Sequence, residues 1–316
     1  MFDYQLIDFG AGRRLERFGS LVLDRLCPSA RPLRPMSRAT RADLRFIDAR
    51  SESGALGKRG YWEALTPQGR EILGGETSQE DSPRGHWQIR HTEPDFTLDL
   101  ACSPFGHIGV FPEQEENWRR IGRYVRRALP LLARPPKVLN LFAYTGASSL
   151  AAASAGAEVT HLDAARNIVD RARLNASLSS VQDRIRFIAD DAMKFVRRQA
   201  RRGSRYDALV LDPPSYGHGA RGEVWRLARD LPKLLGELSA LLDTTAAMVL
   251  LTCHTPSADA RMLAAMIREK FPVCVGRAFR IETGTMTLRA GTRVLESGFF
   301  AVLESAENRS EVNGEE

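Results

Sequence analysis

Several acidic residues stand where an apolar, strand-like run stops. Asp163 closes EVTHLD, Asp190 and Asp191 follow RIRFIA, and Asp212 closes YDALVLD and opens Asp-Pro-Pro-Ser-Tyr-Gly. A carboxylate at a strand end can accept both hydroxyl hydrogens of a ribose, and Asp163 lies 17 residues beyond Gly146. It can equally cap the helix that follows. One of Asp190 and Asp191 can face the exocyclic amino group of an adenine while the other caps a helix. Asp191 is taken as the ligand contact. The two prolines after Asp212 fix φ and remove two donors, so this backbone is rigid. Its carbonyls and the Asp212 carboxylate can then hold the group on which the chemistry acts.

Two further strand ends matter. Asn140-Leu-Phe-Ala-Tyr-Thr-Gly146 places a glycine at a strand-to-helix turn, where backbone can approach a ligand and a helix start can hold a carboxylate. The dinucleotide pattern G-x-G-x-x-G is missing, which argues against NAD or FAD. Leu251-Thr252-Cys253-His254 closes the fifth run. Adjacent strand ends lie roughly 5 Å apart, so Cys253 can open beside Asp212 and attack a pyrimidine ring carbon as a thiolate. The alternative is a small buried hydrophobe. His254 reads as a structural or partner-facing residue and is kept outside the site.

The elements that must position these residues follow from periodicity. From Val138 onward, apolar strands alternate with amphipathic helices near 147–155, 165–178, 192–201, 223–242 and 258–271. That alternation implies right-handed parallel crossovers and a doubly wound α/β sheet. After Phe271 two strand-like runs, 273–281 and 293–304, have no helix between them and predict an antiparallel hairpin on the sheet edge. Upstream, Trp118, Ile121, Val125 and Leu129 share one helical face, with arginines over much of the rest, until ARPPK stops the helix. Residues 1–105 read as a small β-rich domain, with strands at 21–23, 43–48, 87–91 and 96–101 separated by Pro, Gly and Ser.

The chain has 316 residues, 43% hydrophobic and 27% charged, enough for a real core and incompatible with disorder or collagen. Its net charge is +6, with 40 arginines among the 45 basic residues. Arginine's planar fork suits phosphate and stacks on bases, so the charge permits a polyanionic partner. The arginines of 119–127 and 197–205 are the candidate footprint. Codon usage in a GC-rich genome would enrich arginine just as well. The four cysteines are far apart with no C-x-x-C pair, so neither a disulfide framework nor a zinc site is expected. No apolar run approaches a membrane span and the N-terminus has no apolar signal core, so a cytoplasmic location is expected. Residues 306–316 read as a disordered acidic tail.

VLNLFAYTGASSL, HLDAARNIVDRARLNA, FIADDAMKF and LVLDPPSYG resemble motifs I to IV of class I S-adenosylmethionine-dependent methyltransferases. The FAYTG form is similar to a branch that includes large-subunit rRNA cytosine-C5 methyltransferases. The likeness covers roughly residues 105–305 and takes in GVFPEQEENW at 109–118 and AGRRLERFG at 11–19. Trp118 stands where the branch has arginine after the asparagine, and the N-terminal region does not read as the branch's RNA-binding PUA domain. The resemblance implies a Rossmann-like methyltransferase domain over 106–305 with a C-terminal antiparallel hairpin. S-adenosylmethionine would be the cofactor, with no metal.

By the same resemblance Phe111 and Gln114 help enclose the cofactor, and Asn140, Phe142, Tyr144, Thr145 and Gly146 meet its methionine end. Asp163 takes the ribose and Asp191 the adenine. Asp212 stands by the transferring methyl, and Pro213, Ser215 and Tyr216 hold the substrate. The expected substrate is a nucleobase of rRNA, with cytosine C5 favoured. Cys253 would then add to C6 while Asp212 supports protonation at N3. Two other readings stay open: methylation of an amino nitrogen, served by Asp212, Pro213 and Tyr216, and an RNA chaperone that binds the cofactor without turnover. Oligomeric state is not legible.

Overall fold

In the computed structural model, which describes residues 1–34, 36, 41–48, 60–74, 85–218, 224–255, 258–274 and 279–305, the chain divides into two compact units. The first comprises Met1–Glu116, Leu174–Ser180 and Thr287–Ser297, and the second Asn117–Arg173, Val181–Met286 and Gly298–Glu316. The boundary expected at residue 105 therefore moves to 116, and the first unit gathers two segments remote in sequence. The tail expected over 306–316 lies outside the described residues.

The first unit holds a five-stranded sheet in chain order: β1 (Tyr4–Gly10), β2 (Arg13–Phe18), β3 (Leu21–Leu26), β4 (Leu44–Asp48) and β5 (Gly60–Ala64). A short helix, α1 (Pro67–Leu73), starts on Thr66, whose hydroxyl accepts the Gly69 N–H. β6 (His86–Thr92) and β7 (Asp95–Ala101) form a separate antiparallel pair. The strands expected at 21–23, 43–48, 87–91 and 96–101 are present, whereas β1, β2 and β5 were not foreseen. β2 shows why: RRLERF has no clear alternation because its charges are buried as partners. Glu16, fully buried, accepts from Arg25 Nε at 2.8 Å and from the Tyr4 hydroxyl at 3.0 Å, with Arg14 Nε 3.1 Å away. Burying any of these charges alone would cost several kcal/mol. The hairpin tip adds Leu288 and Leu295 to an apolar cluster with Leu6, Phe9, Cys27 and Ala30.

The second unit is the α/β core. After α2 (Glu115–Leu132) come β8 (Lys137–Leu141), α3 (Ala147–Ser154), β9 (Glu158–Asp163), α4 (Arg166–Leu178), β10 (Ile185–Ala189), α5 (Ala192–Arg201) and β11 (Ala208–Leu211). There follow β12 (Tyr216–His218), β13 (Val224–Arg226), α6 (Leu227–Ser239), β14 (Met248–Cys253), α7 (Ala260–Lys270), β15 (Phe279–Ala290) and β16 (Arg293–Ser305). The sheet order is β10-β9-β8-β11-β14-β16-β15; the first five strands are parallel and β16 runs antiparallel to β14. This is the doubly wound sheet with a terminal hairpin that the alternation predicts.

Side chains alternate across each strand. Leu139, Leu141, Leu209, Leu211, Val249, Leu251 and Cys253 pack into one cluster with α5, α6 and α7. On the opposite face Asn140 reaches α3. In α2 the expected face is buried at Trp118, Ile121 and Val125, joined by Tyr124 and Ala128. Trp118 is thus a core residue.

Two expectations shift. Of the strand expected over 273–281, Pro272–Cys274 form a 3₁₀ turn, 275–278 lie outside the described residues, and β15 runs from Phe279 to Ala290. The helix expected from 223 begins at Leu227, since Val224–Arg226 first pair with Tyr216–His218 as an antiparallel ribbon.

Candidate functional site

The second unit brings the C-terminal ends of β8, β9, β11 and β14 side by side, with the loop 142–146, Asp163 and Asp212 at those ends. The loop 142–146 after β8 bends sharply. Phe142 has φ 56°, Tyr144 φ 51° and Gly146 φ 100°. Left-handed conformations at Phe142 and Tyr144 cost about 1–2 kcal/mol each, so contacts must hold them. Ala143 N–H donates to the Leu162 carbonyl at 3.1 Å and Tyr144 N–H to Asp163 Oδ2 at 3.0 Å. Asp163 Oδ1 accepts the Ala165 N–H at 3.0 Å. Burial pushes the Asp163 carboxyl above the usual aspartate value, against the pull of those backbone N–H groups.

Gly146 answers a packing need. A Cβ there would lie 3.3 Å from that of Ala172, and its φ is unfavourable for any other residue. Thr145 is buried beside it. Asn140 departs from its expected place at the cofactor: it is 3% exposed, and its amide donates to Ser149 Oγ at 2.8 Å. Ser149 in turn lies 3.0 Å from His161 Nδ1. Burial drives the His161 pKa down to about 3, so the ring is neutral. This buried chain fixes α3 to β8 and β9, and Asn140 positions the loop from beneath.

Asp190 and Asp191 divide their work differently from the expectation. Asp191 is the N-cap of α5, its Oδ1 accepting the Lys194 N–H at 2.8 Å. Asp190 accepts from Arg198 at 2.7 Å and from the Asp191 N–H at 2.8 Å. The cap occupies one Asp191 oxygen.

At the end of β11 Asp212 is partly exposed, and its Oδ1 accepts the Thr252 hydroxyl at 2.7 Å. His254 Nε2 lies 3.6 Å from the same oxygen. Pro213 is buried, while Ser215 and Tyr216 are exposed. Ser215 Oγ lies 2.6 Å from Thr255 Oγ1. The Pro214 carbonyl accepts the Trp225 indole N–H at 2.7 Å, and the Trp225 ring sits 5.0 Å from that of Phe142. One indole thus ties the ribbon to the loop after β8.

Cys253 is not brought to Asp212. It is fully buried in the core cluster, and its Sγ accepts the Thr255 N–H at 3.4 Å. Alternation along β14 explains this: Thr252 and Cys253 are neighbours in sequence and so face opposite sides of the sheet. The residues at Asp212 are Thr252 and His254, which sequence reasoning missed; the same period of two would have found them.

Phe111 and Gln114 lie in the first unit. Phe111 meets the His107 ring edge-on at 5.4 Å and its carbonyl accepts the Gln114 N–H at 3.0 Å. The arginine footprint is narrower than expected. Arg120 is buried, pairs with Glu282 and lies 4.6 Å over the Phe300 ring; Arg127 pairs with Glu304 at 3.0 Å. Arg197 and Arg198 pair with Glu237 and Asp190. Arg126, Arg201 and Arg202 are exposed. Among the described residues no group of three or more His, Cys, Asp or Glu is placed to hold a metal, and no helix is long and apolar enough to cross a membrane.

The donor set fits an adenosyl cofactor. The Asp163 carboxylate, anchored by backbone N–H groups that include those of Tyr144 and Ala165, is an acceptor of the kind that suits a ribose hydroxyl.

Comparison with known proteins agrees. The model of the S-adenosylmethionine-dependent methyltransferase family matches residues 78–270, more than half the chain. The crystal structure of a SAM-dependent methyltransferase from Agrobacterium tumefaciens superposes with a TM-score of 0.80 at 32% identity, over 96% of this chain and 90% of that one. SMU.776, solved in complex with SAH, shares the fold at a TM-score of 0.67 and 15% identity, over 96% and 75% of the two chains. Among curated proteins, ribosomal RNA large subunit methyltransferase I of Aeromonas salmonicida is 32% identical over 114 residues, 35% of this chain and 27% of that protein. The 23S rRNA (uracil(1939)-C(5))-methyltransferase RlmD of Neisseria lactamica is 30% identical over 149 residues, 46% of this chain and 31% of that protein. The match thus spans less than a third of the length of either curated relative.

Proposed function

The chain belongs to the S-adenosylmethionine-dependent methyltransferase family, and we propose that its acceptor is a nucleobase of ribosomal RNA, received at Asp212. When bound, the cofactor supplies a methyl group on a sulfonium that already carries its leaving group. The protein's task is therefore alignment and electrostatics. Asp163 holds the ribose, the loop 142–146 receives the methionine end, and the second Asp191 oxygen faces the adenine amino group.

The observation that carries this reading is the Asp212 carboxylate. It sits at the end of β11, rigid before two prolines, oriented by the Thr252 hydroxyl and open to solvent. It can accept an N–H from a base edge, and the exposed Tyr216 ring offers a face on which that base can stack. A base must leave its stack to reach such a site, which costs least in looped or single-stranded RNA. The relatives named as rRNA methyltransferases support the substrate class. The geometry supports best a nitrogen acceptor held by Asp212, Pro213 and Tyr216.

A ring-carbon acceptor, C5 of a pyrimidine, with cytosine expected from the sequence, is the second reading, favoured by the uracil C5 activity in the name of the Neisseria relative. It requires Cys253 to be reached, so the strand end 253–255 would have to open. Mass spectrometry of rRNA nucleosides from a deletion strain, with tritiated methyl transfer to that rRNA, tests both. A single missing methylated nucleoside, restored by the protein, is expected. Unchanged rRNA and label on protein or a small molecule would overturn the RNA reading. A covalent adduct with 5-fluorocytosine RNA, lost in Cys253→Ala, would select the ring carbon.

A further inference from the structure

Both acceptor readings leave a proton to be removed, because a nitrogen or a ring carbon that gains a methyl must lose a hydrogen. We propose that His254 is the base that takes it, with Asp212 as its charge partner. The inference rests on the methyl-transfer reading and adds a residue to it.

The geometry is specific. His254 follows β14 by one residue and, like Thr252, lies on the side opposite Cys253. Its Nε2 is 3.6 Å from Asp212 Oδ1, too long for a hydrogen bond but close enough for the carboxylate to stabilise a protonated ring. Its side chain is 34% exposed and that of Asp212 30%, so both reach the same solvent-open mouth. Thr252 donates to that same oxygen at 2.7 Å, which keeps the carboxylate from swinging onto the imidazole. Space for the ring is made across the sheet. Gly298 in β16 has φ 141°, and a Cβ there would lie 3.1 Å from His254 Nδ1 and 2.8 Å from the Cys253 carbonyl. A side chain at 298 would therefore displace the histidine.

For a nitrogen acceptor the balance is direct. The nitrogen lone pair forms the bond to the methyl carbon, and the carbon–sulfur bond breaks with its electron pair kept by sulfur. The N–H proton passes to the imidazole and then to water. Asp212 lowers the cost of the imidazolium and accepts a second N–H from the same base. A histidine suits this step because its ordinary pKa lies near neutrality.

The test has two arms. In the protein alone, NMR titration of the His254 ring should show a lower midpoint in Asp212→Asn, since a nearby carboxylate favours the charged ring. In single-turnover transfer to rRNA, His254→Ala and His254→Asn should cut the rate by 10²-fold or more, while affinity for S-adenosylhomocysteine, measured by calorimetry, stays within twofold. The pH–rate profile should lose its lower limb. An unmoved midpoint in Asp212→Asn, or normal single-turnover rates in both His254 variants, would overturn the proposal. Absence of transfer by the wild-type protein would instead strike the RNA reading, and the titration would still decide the pairing.

Discussion

On the proposed reading Asp163 would join cofactor recognition to loop geometry, because the carboxylate that would take the ribose also accepts the Tyr144 and Ala165 N–H groups. Asp163→Ala should weaken S-adenosylhomocysteine binding by about 1–3 kcal/mol through lost charge-assisted hydrogen bonds. It should also lower thermal stability, because the strained Tyr144 conformation loses its acceptor. Calorimetry showing unchanged affinity would contradict the assignment. His161 makes a separate prediction about acid. An unfolded histidine binds a proton below about pH 6.5, whereas burial delays this in the folded chain to about 3. Between those values the unfolded state holds more protons. Stability is therefore full above about pH 6.5 and declines as pH falls, by up to about 1.4 kcal/mol per pH unit. Urea midpoints at pH 7 and pH 5 should show the decline, and His161→Gln should shrink it.

At the scale of the element, the period of two along β14 decides which chemistry is available. Cys253 faces the α5–α7 side and should react with a thiol reagent only as the strand opens. Peptide mapping of the native protein should find it unmodified over minutes and modified in denaturant. Rapid native labelling would put the thiol back in reach of a substrate. Gly298 is the matching element in β16. Gly298→Ala should destabilise by about 1–3 kcal/mol, since its Cβ would crowd Met286 Cε at 2.7 Å and the Cys253 carbonyl at 2.8 Å. Thermal melts read that change directly.

Across the whole molecule, the surplus of arginine is partly structural. Arg120→Ala should cost stability, because it removes the partner of Glu282 and the cation over the Phe300 ring. The exposed Arg201 and Arg202 have a different role under the RNA reading. Replacing both with alanine should leave the fold intact and reduce the slope of log affinity against log salt by about 1.4, roughly 0.7 for each phosphate contact on single-stranded RNA. A filter-binding series from low to moderate salt measures it. An unchanged slope would move the footprint elsewhere.

The sequence by itself determined the α/β alternation, the terminal hairpin and the strand-end residues Asp163, Asp191 and Asp212. Those properties are local: apolar periodicity sets each element, and a parallel sheet collects the ends of its strands on one edge. Strand β2 was hidden because Arg14 and Glu16 are buried against partners on other strands, which hydropathy along one strand cannot reveal. β15 was misplaced because its polar run ETGTMTLRA becomes a strand by pairing at the sheet edge rather than by burying an apolar face. Only the tertiary structure decided that Asn140 turns inward to Ser149, that Asp191 caps α5, and that Thr252 and His254, not Cys253, meet Asp212. The direction a side chain takes at a strand end depends on which neighbouring strands and helices offer it a partner or a space. Those neighbours come from other elements, as with Ser149 for Asn140 and Gly298 for His254, and no local pattern of residues records them.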